Sequence, residues 1–180
     1  MKDYEQPRNA DRLISKLQQI SSNDASEVCT QAVRQGGLLV QAQARLLITY
    51  VSGDLIRSVK VRNKSTSKGA EATVYTNSPY AAYYEFGTGP NGEANHNGIS
   101  PNVNVHYKQQ GWMIPGDAMT PDRAEEYGFK VVYKGDKPIG YLTKGQYARP
   151  FMYPAMHDNI DKINDNARKL LMKKLKERCK

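Results

Sequence analysis

Three histidines, His96, His106 and His157, are the residues best suited to proton transfer or metal binding near neutral pH. His96 lies among Asn and Gly, His106 lies in an expected strand, and His157 lies at the start of the expected last helix. No second His or Cys stands at metal-ligand spacing from any of them. Their context predicts structural or solvated roles, and neither a metal nor a cofactor is expected.

Other catalytic patterns are equally weak. Gly87-Thr88-Gly89 could cradle a phosphate, but a P-loop ends in Gly-Lys-Ser/Thr and here Pro90 follows. Glu125 and Glu126 are adjacent, so their carboxyl groups point in different directions and do not converge on one substrate atom. The chain has no Gly-x-Ser-x-Gly turn that would expose a nucleophile. These observations predict a protein that is not an enzyme.

The net charge of +8 favours an acidic partner, with nucleic acid the first candidate. The charge is concentrated in two segments, each with at most one acidic residue. The first, 57–68, contains Arg57, Lys60, Arg62, Lys64 and Lys68, and the second, 168–180, includes Lys173, Lys174, Lys176 and Arg178. Ten of the twelve tyrosines lie elsewhere, between Tyr75 and Tyr153. Because each basic segment could neutralise several phosphates, a nucleic-acid-binding module that uses both segments remains an alternative function, although the tyrosines that could stack on bases lie in other segments.

Periodicity predicts helices in the first third of the chain and strands after them. Apolar residues favour a short helix over 10–20 and a long one from Ala25 to position 51, in which Gly36-Gly37 indicates either a bend or close packing. Two-residue alternation favours antiparallel strands over 55–62 and 71–76, joined by a polar loop. Residues 79–84 are expected to form a helical turn that begins with Pro79.

The second half combines an irregular segment, a hairpin and a helix. Clusters of Gly, Asn and Pro predict a weakly ordered excursion over 89–128. Residues 129–133 and 139–142 are expected to form a hairpin that returns to the sheet, within a segment 129–153. A basic helix is expected over 154–180. The prediction is one α+β domain over 1–180, with helices in 1–51 and strands in 52–88.

The amino-terminal sequence lacks the apolar stretch of a secretory signal, and no run approaches the length of a membrane span. Cys29 and Cys179 are far apart and have no neighbouring thiol. We therefore expect free thiols in a protein that is soluble and intracellular when made and has no membrane partner.

Two short stretches carry a family resemblance. Tyr80-Ala-Ala-Tyr-Tyr-Glu-Phe-Gly-Thr-Gly89, here called the first motif, and Ala148-Arg-Pro-Phe-Met-Tyr-Pro-Ala155, the second motif, resemble the head–tail joining, or tail-completion, minor virion proteins of long-tailed bacteriophages. Ser52-Gly-Asp-Leu-Ile-Arg-Ser58 is similar to the family's Thr-Gly-x-Leu-x-x-Ser turn, with Ser in place of Thr. The resemblance covers roughly residues 10–88 and 140–178, and the chain departs from the family over 89–139.

The resemblance implies a structural subunit of the phage neck or head-proximal tail. Such a subunit would form a ring, expected to be a hexamer, between the tail tube, the tail terminator and the head connector. DNA would pass through its centre. The protein would then be located in the virion, and in the host cytoplasm during assembly. In this setting the basic segments are candidates for contact with DNA or with an acidic patch on a neighbouring virion protein.

The residues assigned to the motif or to a subunit interface come from both motifs. The exposed tyrosines are expected to favour an interface, whereas core packing is the favoured interpretation for Phe86 and Phe151. Arg149 is expected to pair with Glu85. The complete set is Tyr80, Tyr83, Tyr84, Glu85, Phe86, Gly87, Thr88, Arg149, Pro150, Phe151 and Pro154.

Overall fold

The computed structural model describes residues 22–49, 53–66, 69–95 and 97–178. The helix expected over 10–20 lies outside these residues. Contacts divide the chain into two compact units, one built from the described parts of 1–43, 59–75 and 155–180 and the other from 44–58 and 76–154. That 1–180 forms a single domain stays a prediction. The α+β fold class is confirmed.

The long helix α1, Ser22–Leu47, matches its prediction closely. The pair of glycines in its middle is explained by close packing. A Cβ atom at Gly36 would lie 3.1 Å from Cγ2 of Ile163, and one at Gly37 would lie 2.8 Å from Cβ of Ala72 and 2.9 Å from Cγ2 of Val61. Helix and hairpin can approach α1 this closely because neither glycine has a side chain.

The first unit surrounds this part of α1 with a hairpin and a helix. Strands β1, Val59–Thr66, and β2, Gly69–Thr76, form a two-stranded sheet. The last helix of the chain, Ile160–Arg178, contacts α1 through Ile163 and through an ion pair of 3.2 Å between Lys174 Nζ and Glu27 Oε2. The later residue of this helix, Lys174, contacts the earlier residue of α1, Glu27, while Ile163 lies at Gly36. The helix therefore runs antiparallel to α1.

The second unit contains a three-stranded antiparallel sheet of order β3-β5-β4. Its strands are β3, Trp112–Pro115, β4, Lys130–Lys134, and β5, Lys137–Thr143. Trp112 pairs with Thr143 and Lys130 with Leu142. The Tyr141 ring is fully buried, and its hydroxyl donates a hydrogen bond of 2.6 Å to the Met119 carbonyl oxygen. The expected hairpin is therefore present, but it pairs with β3 and does not join β1 and β2.

Short helices complete this unit. They are α2, Gly53–Ser58, α3, Ala81–Phe86, α4, Gly89–Ala94, α5, Pro121–Glu126, and the start of α6, Met152–His157. The last helix of the chain, Ile160–Arg178 of the first unit, is α7.

Three sequence expectations about the bounds of these elements were wrong. Residues 55–58 form helix, because a short apolar run does not distinguish the helical period from the two-residue period of a strand. Asp54 and Arg57 pair across this helical turn at 2.6 Å. The excursion 89–128 contains α4, β3 and α5, because Pro90 and Pro121 lie in first turns, where proline favours helix. The last helix is interrupted at residues 158–159.

Candidate functional site at the two motifs

The Glu85 carboxylate joins the two motifs. It is buried, with 5% of the residue exposed, and it accepts hydrogen bonds from three successive backbone N–H groups at the start of α6. The distances are 2.6 Å from Phe151, 3.0 Å from Met152 and 3.2 Å from Tyr153. Pro154 follows and has no N–H to satisfy. A carboxylate suits this position because the N–H groups of a first helical turn have no partner within the helix.

Tyr84 connects the first motif to Thr49, the second residue after the end of α1. Its hydroxyl donates to the Thr49 carbonyl oxygen at 2.6 Å and accepts from the Thr49 N–H at 2.9 Å. Its ring meets Phe151 edge-on, with 5.8 Å between centroids. Only 6% of Tyr84 is exposed. Tyr84 is therefore not one of the exposed tyrosines for which an interface is expected, because its hydroxyl and its ring are both used inside the subunit.

Arg149, in the second motif, contacts Tyr84 of the first motif through both its backbone and its side chain. Its N–H donates to the Tyr84 carbonyl oxygen at 2.9 Å, and its guanidinium carbon lies 5.9 Å from the centre of the Tyr84 ring. The hydrogen bonds described for Glu85 come from the backbone of 151–153. The expected ion pair between Arg149 and Glu85 stays a prediction. Phe151 is fully buried, which agrees with the core packing expected for it.

The glycine turn at the end of the first motif packs directly against the chain that leads into the second. Gly87 has φ +72°, and a Cβ atom there would lie 2.6 Å from the Ala148 nitrogen. The Thr88 N–H donates to the Gln146 carbonyl oxygen at 2.9 Å, and the Gln146 N–H donates to Thr88 Oγ1 at 3.0 Å. The polar groups that a phosphate cradle would need at Thr88 are thus occupied by Gln146.

A groove of about 560 Å³ lies on the other side of this turn. One wall comes from the first motif, with Tyr83 and Phe86, and the other comes from residues 105–108 and Trp112. The Tyr107 hydroxyl donates to the Phe86 carbonyl oxygen at 2.7 Å. Burial, and secondarily the nearby Glu93 carboxylate, raise the pKa of Tyr107. The excursion therefore folds back onto the first motif.

The remaining motif residues lie at the surface. Tyr80 is 70% exposed and Tyr83 is 56% exposed, whereas Phe86, Pro150 and Pro154 are half-buried. Sequence reasoning missed the residues outside the motifs that contact motif residues. Among these, only Trp112 carried a signal, as the single tryptophan of the chain; the others are Thr49, Tyr107 and Gln146.

The basic residues of segment 57–68 are divided by the fold. Arg57 lies on α2 and pairs with Asp54, while Lys60, Arg62 and Lys64 lie exposed on β1. Lys68 lies outside the described residues. On α7, Lys173 and Lys176 are exposed and Lys174 is bound to Glu27. Arg178 ends α7, and its side chain is not among those described.

The candidate catalytic groups do not converge. His106 lies in an irregular segment beside the groove and not in a strand, and His157 Nδ1 lies 2.9 Å from the Asp158 carboxylate. His96 and Cys179 are outside the described residues, and Cys29 is exposed on α1. Within the described part of the chain, no three His, Cys, Asp or Glu side chains are grouped to hold a metal ion.

The two motifs thus close on each other through hydrogen bonds within the chain, and their polar groups are used in packing. Residues 11–87 match the family HK97-gp10_like, described as "Bacteriophage HK97-gp10, putative tail-component". The match includes the first motif up to Gly87 and the turn at 52–58, and it confirms the resemblance to a phage tail family over this part of the chain. The family is one of tail components and not a known class of enzymes.

None of the curated proteins and none of the solved structures compared with the chain matches it. The second motif lies outside the segment that the family model covers. In the described residues, no helix is long and apolar enough to cross a membrane.

Proposed function

We propose that the protein is a structural, non-enzymatic virion protein of the phage neck or the head-proximal tail end. Copies of it would form a ring, with six expected, that joins the tail tube and tail terminator to the head connector and lets DNA pass. The observation that carries the proposal is the clasp of Glu85 on residues 151–153. It joins a motif inside the family match to one outside it, so both parts of the resemblance meet in one structural element.

The exposed tyrosines of the first motif support self-association. Tyr80 directly precedes α3 and Tyr83 lies on it. The other side of this helix is fixed by Tyr84 and Glu85, so both rings are presented from a rigid base. Large exposed aromatic rings are enriched in protein interfaces. A ring needs two different patches on each subunit, and the excursion provides a second surface beside the first motif.

Light scattering and negative-stain imaging of the purified protein, together with detection of the protein in virions, test the proposal. We expect a ring with a central channel. The double variant Tyr80→Ala/Tyr83→Ala should shift the population toward monomer. The control Tyr133→Ala removes a tyrosine that is also exposed, on β4, and should leave the ring intact. A strictly monomeric wild-type protein that is absent from virions would overturn the proposal.

A further inference from the structure

Strand β1 presents a row of three cations on one side. Lys60, Arg62 and Lys64 alternate along the strand, so their side chains leave from the same face at intervals of about 6.7 Å. All three are exposed, and none forms an ion pair with another described residue. Strand β1 itself contains no acidic residue.

The packing of the hairpin fixes which way this row points. Val61, which alternates with the cations, faces α1 at Gly37, and so does Ala72 of β2. The cations therefore lie on the opposite, outer face of the hairpin. Tyr75 lies on this face too, with the Arg62 guanidinium carbon 5.9 Å from its ring centre. Such a contact restrains the Arg62 side chain while its N–H groups stay available to a partner.

The acidic content of this face is small. Glu71 alternates with Ala72 and thus lies on the outer face, where its carboxylate accepts a hydrogen bond of 3.0 Å from the Thr73 hydroxyl. Apart from Tyr75, the row has no apolar centre. Interfaces between proteins are depleted in Lys and have an apolar core, whereas interfaces with nucleic acid are more polar and strongly positive. The chemistry of the face thus favours a phosphate backbone over an acidic protein.

We propose that the outer face of the β1–β2 hairpin, through Lys60, Arg62 and Lys64, binds the phosphate backbone of DNA without reading its sequence. This inference deepens the proposed function, because it identifies the part of the subunit that contacts the DNA passing through the ring. The cations of α7 differ from this row because acidic groups accompany them. Lys174 is engaged with Glu27, Arg168 lies 3.8 Å from Asp165, and Lys169, Lys173 and Lys176 line a surface patch that also contains Glu177.

Fluorescence anisotropy with a labelled DNA duplex of mixed sequence, recorded over a salt series on the full chain, tests the inference. The triple variant Lys60→Gln/Arg62→Gln/Lys64→Gln should bind about 10- to 100-fold more weakly at low salt. Its log–log salt slope should fall by about 2.7, since each neutralised phosphate contributes about 0.9. The matched variant Lys169→Gln/Lys173→Gln/Lys176→Gln removes the same charge from α7 and should change the slope little.

The single variants Lys60→Gln and Lys64→Gln keep the inference testable if the triple variant unfolds, and each should lower the slope by about 0.9. Equal losses in the β1 and α7 triple variants would overturn it, because net charge alone would explain them. Binding to polyglutamate but not to the duplex would also overturn it in favour of an acidic protein.

Light scattering on the same samples separates this inference from the proposed function. If the protein forms a ring that does not bind DNA, the inference is wrong and the proposed function stands. If the protein is a monomer that binds DNA through β1, the ring is contradicted, whereas DNA binding by the hairpin and the alternative of a nucleic-acid-binding module are supported.

Discussion

The Glu85 carboxylate lies 2.6 Å from the backbone nitrogen of Phe151, sixty-six positions later in the chain. The same carboxylate also receives the N–H groups of the next two residues. Two motifs that are distant in sequence therefore depend on one buried side chain. This arrangement explains why an acidic residue stands between aromatic residues in the first motif: its partners are backbone donors of α6 and the neighbouring rings form the packing around them.

Glu85→Gln should destabilise the protein by about 2–4 kcal/mol. The substitution removes charge-assisted hydrogen bonds worth about 1.5–3 kcal/mol each and turns an NH₂ group toward donors that need an acceptor. Urea denaturation followed by circular dichroism measures the change. Glu126→Gln, at an exposed position of α5, is the control and should cost less than about 0.5 kcal/mol. Equal stability of the two variants would contradict the role of Glu85 as the clasp.

Gly87→Ala should destabilise the protein more than Gly135→Ala. Both glycines have positive φ, +72° and +64°, so both substitutions incur the cost of about 1–2 kcal/mol for a left-handed conformation. Only at Gly87 does the new Cβ also meet backbone, whereas nothing lies within 4 Å at Gly135. Thermal unfolding should show a clearly larger loss of Tm for Gly87→Ala. Similar losses would mean that the two motifs do not pack as closely as described.

Gly37→Ala should destabilise the first unit, although alanine is the better helix former by about 1 kcal/mol. The added methyl group would meet Val61 and Ala72 of the hairpin, and overpacking of this kind costs about 1–3 kcal/mol. Gln35→Ala, at an exposed position of the same helix, is the control for helix propensity. The free energy of unfolding from urea titration distinguishes the two. A more stable Gly37→Ala variant would show that the hairpin can move away at no cost.

Tyr107 should make stability depend on alkaline pH. Its pKa is raised above the ordinary value of 10.0, mainly by burial, so the folded state holds this proton more tightly than the unfolded state. Its contribution to stability is therefore complete below pH 10 and is lost as the pH rises through the folded pKa. In Tyr107→Phe, unfolding midpoints should decline less above this pH than in the control Tyr133→Phe, which alters an exposed tyrosine. Parallel declines in both variants would contradict this assignment.

The local pattern of apolar and polar residues was sufficient to predict the long helices and one hairpin. The period of apolar residues predicted α1 and the helix that ends at Arg178, because a helical stripe repeated over many turns has few competing interpretations. The hairpin of β4 and β5 was predicted from alternation around a polar turn. Short segments were not decided in this way: residues 55–58 alternate like a strand and fold as helix.

The two motifs and their order were visible in the sequence, and so was the absence of any recognisable catalytic pattern. What only the tertiary structure decided is which side chains each motif residue meets. Tyr84 and Tyr83 are adjacent and chemically identical, yet one ring is buried and the other is exposed. The difference arises because Thr49 and Phe151 approach from distant parts of the chain, and such long-range contacts leave no trace in the local pattern of residues.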